Sequence, residues 1–107
     1  MERERIVELF KLRMEMESLR IMAERIAANN TRLTNESRKI KEAADESDDP
    51  EINTTAAIKL FAILMESLKD QAKMAQIKER AEEIKKRVDE IKAEYDKERE
   101  EAELKKA

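Results

Sequence analysis

The stretch from Thr54 to Ile77, TTAAIKLFAILMESLKDQAKMAQI, constrains the fold most, because it is apolar around most of a helical circumference instead of along one stripe. At 3.6 residues per turn Ala57, Phe61, Leu64, Leu68 and Ala75 form one line, and Ala56, Leu60, Ile63 and Met74 form another beside it. A helix with two adjacent apolar faces needs neighbours on both. The rest of the chain supplies one obvious neighbour, which makes assembly the central question.

That neighbour precedes it. From Glu2 to Glu46 nothing interrupts a helix, and a seven-residue repeat runs along it. Leu9, Met16, Ala23, Asn30, Ser37 and Ala44 share one seam position, and Leu12, Leu19, Ile26, Leu33 and Ile40 share the other. In the first half Ile6, Val7, Phe10, Met14, Ile21 and Met22 widen the apolar surface beyond this seam. After Ala28 it narrows, and Asn29, Asn30, Thr31, Thr34, Asn35 and Ser37 crowd the second half.

The segment ADESDDPEI reverses these signals. Asp49 is placed as an N-cap, Pro50 as the first helical residue with its φ preset, and Glu51 as an acid at the positive end of a new helix. A connection this short makes the flanking helices antiparallel neighbours. The second helix then extends from Pro50 to Lys106, far beyond the mean of about 11 to 12 residues in globular domains. Past Ile77 it reduces to one stripe, Ile77, Ala81, Ile84, Val88, Ile91 and Tyr95, with Tyr95 expected to cap the core. Glu82 with Lys86, Glu83 with Arg87 and Glu101 with Lys105 are spaced to pair on solvent faces. The tail from Asp96 is expected to fray.

The sequence therefore predicts an all-α fold: an antiparallel two-helix hairpin with very long helices, assembling into a coiled-coil-like bundle. It is expected to form a single domain over 1–107, with a helix over 2–46, a turn over 47–50 and a helix over 50–106. In the hairpin, residue i of the first helix lies near residue 97 minus i of the second. Ile6 to Ala28, apolar and broad, then meets the narrow stripe of Asp70 to Ile91, and the broad Ala56 to Leu68 meets the narrower Asn29 to Ile40. Each level holds one helix with two apolar faces and one with a single face. Other copies of the chain would cover what remains, and closed symmetry with six helices in a trimer, favoured over eight in a tetramer, would bury both faces. The expected oligomer core comprises Leu9, Leu12, Met16, Leu19, Ile26, Leu33 and Ile40 from the first helix. From the second it takes Leu60, Phe61, Ile63, Leu64 and Leu68, followed by Ile77, Ile84, Val88 and Ile91.

Composition narrows the function. Lys and Arg number 23 against 26 Asp and Glu, and the signs are interspersed, so no segment offers the basic stripe that nucleic acid needs. Cys and His are both absent, which removes disulfides, thiolate metal sites and the usual neutral-pH proton shuttle. A carboxylate-bridged dimetal bundle would need Glu-x-x-His motifs, so the many Glu pairs at helical spacing, such as Glu79 with Glu83, read as solvated faces. No Gly-rich turn or oxyanion site accompanies Ser, Lys or Tyr95. Neither an enzyme, a cofactor nor a small-molecule substrate is expected. MERERIVELF carries no signal-peptide hydrophobic region, and the longest uncharged run, Ile52 to Ile58, is far short of the roughly 20 apolar residues that span a bilayer. A soluble protein without membrane or nucleic-acid partners is the expectation, cytoplasmic if expressed in a cell.

The polar residues on the seams are more informative. Asn30, Ser37, Asn53 and Ser67 occupy core-facing heptad positions, with Thr34 and Gln71 flanking them. The register brings Asn30 level with Ser67 and Asn53 level with Ala44. An unsatisfied buried amide costs about 1 to 3 kcal/mol, so such residues are expected to form hydrogen-bonded layers that set register and copy number. Met14, Met16, Met22, Met65 and Met74 read as core filling.

In style the chain resembles de novo designed two-helix hairpins that assemble as homo-oligomers through buried hydrogen-bond networks. The features that carry this are the absence of Gly, His, Cys and Trp, the alternating Glu and Lys or Arg surface, the DDPE turn, and Asn, Ser and Thr set into aliphatic seams. The resemblance implies no natural biochemical function, a self-assembling structural role, and in some members a helix that either runs straight or folds back. Lys69 to Lys73, KDQAK, is where such a switch would sit. A prefoldin-like hairpin presenting its apolar face to a partner protein is the alternative.

Overall fold

The computed structural model describes residues 2–106. Two helices fill it: α1, Glu2–Asp45, and α2, Pro50–Lys106, joined by a four-residue turn into an antiparallel hairpin. No strand occurs among the described residues.

The turn is built as its residues dictate. The amide of Ser47 donates to the Ala44 carbonyl at 3.2 Å, which closes α1, and the Ser47 hydroxyl accepts from the Asp49 amide at 3.2 Å. Asp49 then caps α2, its carboxylate accepting the Glu51 amide at 2.9 Å while its carbonyl accepts the Asn53 amide at 3.1 Å. Pro50 opens α2 where a missing amide hydrogen costs nothing.

The chain divides into two compact units. Met1–Arg20 packs with Ile77–Ala107, and Ile21–Gln76 forms the other. In the first, Ile77, Ile84 and Ile91 are buried at seven-residue intervals and Leu12, Met16 and Leu19 are half-buried. Arg80 and Arg87 cross to Glu15 and Glu8, pairs whose numbers sum to 95, so the register falls close to the 97 read from the sequence. In the second unit Ile26, Leu33 and Ala56 are buried, and Asn29 bonds Asp70 in a pair summing to 99.

Four expectations are corrected. Asn53 does not enter the seam: it is exposed in the first turn of α2, where its side-chain amide donates to the Ser47 carbonyl at 3.3 Å. A polar residue so close to the turn finds a carbonyl of the turn itself nearer than any partner across the seam. Tyr95 remains 45% exposed at the rim of a groove it shares with Ile6 and Leu9, and Ile91 is the last buried residue of α2. Glu83 bonds Arg80 at 3.0 Å and not Arg87, whose guanidinium is taken by Glu8, Glu90 and Glu94. The tail stays helical to Lys106 although none of its residues beyond Ile91 is buried. An Arg99–Glu103 pair and the two basic residues in the last turn favour helix there.

Candidate functional site

Within Ile21–Gln76 the helical seam of α2 runs through Ala56, Leu60, Ile63, Ser67, Asp70 and Met74, alternating steps of four and three, and each is buried or half-buried against α1. Just beside this seam lies the other line. Phe61 is 65% exposed, Ile58 67%, and Leu64, Met65 and Leu68 about half exposed. The residues expected in an oligomer core thus separate into two sets. Leu12, Met16, Leu19, Ile26, Leu33, Ile40, Leu60, Ile63, Ile77, Ile84, Val88 and Ile91 close the hairpin itself. Leu9, Phe61, Leu64 and Leu68 are left open by the single chain.

A groove of about 760 Å³ runs beside this face, between α1 and α2. Asn30, Thr34, Ser37 and Ser67 line it together with Leu33, Leu60, Ile63 and Leu64, so four of the six predicted network residues are brought to one place. Their hydrogen bonds are incomplete. The Thr34 hydroxyl turns back to the Asn30 carbonyl at 2.9 Å, and the Asn30 side-chain oxygen is buried without a donor from the chain. Gln71 is exposed, next to the seam and not in it.

Asp70 is the residue that periodic reading overlooked. At 7% exposure it is the buried charged residue of the seam, and its carboxylate accepts the Asn29 amide at 2.7 Å. Asn29 in turn accepts from Arg32 at 2.8 Å, and Arg32 pairs with Glu36 at 2.8 Å and with Glu66 at 3.5 Å. The signal was present: continuing Ala56, Leu60, Ile63, Ser67 by one step of three lands on Asp70. This anchored carboxylate sits inside Lys69 to Lys73, and α2 passes through that segment as unbroken helix.

In the unit of Met1–Arg20 with Ile77–Ala107 the polar contacts lie outside the seam. Arg87 grips Glu8 at 2.6 and 3.1 Å, and Arg80 grips Glu15 at 2.7 and 2.8 Å, one rung every seven residues. Arg5 pairs with Glu98 at the end of the ladder. Hydrogen bonds from the guanidinium groups hold the Glu8 and Glu15 carboxyls below the usual carboxylate range, against an opposing effect of desolvation. The exposed apolar residues here are mainly on α1: Ile6, Val7, Phe10 and Met14.

Among the described residues no group of three or more carboxylates is arranged to hold a metal ion, and no helix is long and apolar enough to cross a membrane. No protein family, curated protein or solved structure matches this chain.

Proposed function

We propose that this chain is a self-assembling structural element without catalytic activity, a helical hairpin that closes with further copies of itself into a homotrimeric bundle. One observation carries the reading. The five large side chains Ile58, Phe61, Leu64, Met65 and Leu68 stand 44 to 67% exposed on one continuous flank of α2, next to the half-satisfied polar groove. Each such side chain, once covered, contributes about 1.5 to 3 kcal/mol, and an apolar patch of this continuity on a soluble surface marks an interaction site. Asn30, Ser37 and Ser67 would then lie at the border between copies and restrict the alignments in which their polar atoms are paired. The designed hairpins that the sequence resembles have the same division between aliphatic seam and polar layer, and we propose that origin for this chain.

Light scattering behind size exclusion, at two concentrations tenfold apart, tests the assembly. A constant mass near three times 12.6 kDa is expected. A monomer at both concentrations would overturn the reading and leave the apolar flank for a partner of another kind, as in a prefoldin-like hairpin.

A further inference from the structure

The angular layout of α2 within Ile21–Gln76 says more than that another copy covers it. At about 100° per residue, the seam against α1 is centred roughly 110° to one side of the Ala57, Phe61, Leu64 and Leu68 line. Ile58, Met65 and Ala72, all exposed, lie roughly 70° to its other side. The apolar arc therefore covers about 240°, and only a strip carrying Lys59, Glu66, Lys69 and Lys73 is left for solvent. Helix α1 covers one end of this arc. A single additional helix would cover the middle and leave Ile58 and Met65 in water.

Resting on the self-assembly reading above, we infer that in this unit α2 is the axial helix of three parallel copies. The Phe61 and Leu68 line faces its own counterparts on the three-fold axis, and α1 of a neighbouring copy lies over Ile58, Met65 and Ala72. Three-fold closure gives every axial helix one outer helix on each flank, about 180° apart, which is what apolar stripes on the two sides of the axial line require. A two-fold four-helix arrangement sets the two neighbours of α2 only about 90° apart, too narrow for stripes on opposite sides of the helix. The area is consistent with a copy of this chain as occupant. Five side chains with roughly 100 Å² open each give about 500 Å² from 24 residues of one helix, against about 800 Å² per partner in a stable interface. The occupant must also match a seven-residue stripe, and α2 carries that stripe itself.

The absence of cysteine makes this directly testable by single substitutions in the full chain. Phe61→Cys and Ala57→Cys place a thiol on the axial line, the second removing no large side chain, and Lys59→Cys places one on the solvent strip. On mild oxidation the axial variants are expected to form disulfide-linked pairs that plateau near two-thirds of all chains, because each trimer leaves one thiol over. Lys59→Cys is expected to stay uncross-linked. Complete conversion of the axial variants overturns three-fold closure. So does failure of both to cross-link while their reduced mass stays oligomeric, or equal cross-linking of Lys59→Cys. A wild-type monomer by light scattering overturns the assembly reading itself and is thereby told apart from these outcomes.

Discussion

The two units solve the same packing problem with different chemistry. Where Met1–Arg20 meets Ile77–Ala107, the seam is aliphatic, with Ile84 and Ile91 each 2% exposed, and the charges are kept to a ladder of Arg80 and Arg87 along its edge. Within Ile21–Gln76 the seam itself is mixed: Ile26 and Leu33 alternate with Asn30, Ser37, Ser67 and the Asn29–Asp70 pair. An aliphatic heptad seam is nearly indifferent to a slip of seven residues, since Ile77, Ile84 and Ile91 are interchangeable, whereas a single buried Asn–Asp contact has one partner. The first unit contributes mainly burial. The second has polar groups in its seam, and we propose that it contributes specificity, together with the open face through which copies meet.

Four experiments would break or sharpen this contrast. The largest effect is expected from Ile84→Ala, which truncates a side chain only 2% exposed and should cost about 2 to 5 kcal/mol by urea denaturation. A loss much below that would mean that the aliphatic seam is not where stability resides. Next, Asp70→Ala strands the Asn29 amide in the second seam and should cost about 1 to 3 kcal/mol, while the double change Asn29→Leu with Asp70→Leu should recover most of it. A double-mutant cycle measures the coupling, and additive losses would show that the pair is not a unit. Smaller again is Asp49→Ala, where removal of the cap from α2 should lower stability by about 1 kcal/mol in the same assay.

The smallest effect concerns pH. Glu8 and Glu15 have folded-state pKa values held below the ordinary value by Arg87 and Arg80. Their contribution is therefore present above the unfolded-state value of about 4.3 and lost as pH falls through the lower folded values. Thermal melts from about pH 5 downward should show a decline that Glu8→Gln with Glu15→Gln flattens. An unchanged slope in that double variant would remove the ladder from any role in stability. The pairs are accessible to water, so added salt should weaken the same contribution.

Much of the fold could be read from residues near each other in the chain. The uninterrupted helix formers, the Asp49–Pro50–Glu51 start signal and the alternating steps of three and four define two helices, a tight turn and a facing seam, because capping and periodicity are local properties. The antiparallel register follows too, since a short turn leaves little freedom in how the helices align. Apolar seam positions such as Ile26, Leu33, Ile77 and Ile84 were therefore legible, and so was the excess apolar surface at Phe61, Leu64 and Leu68.

Only the tertiary structure decided how polar groups share partners. Arg87 could bond Glu83 on its own helix, yet it reaches across to Glu8, since the guanidinium lies at the seam's edge where a carboxylate on α1 meets it in two-pronged geometry. Asn53 shares the heptad pattern of a buried layer and is claimed by the Ser47 carbonyl at the turn. Asp70, at a position that any continuation of the seam would mark, is acceptable inside because Asn29 stands opposite it. Helix formation and burial of methyl groups depend on sums over neighbours that periodicity records, whereas a hydrogen bond goes to whichever of several donors and acceptors the packed helices bring within about 3 Å.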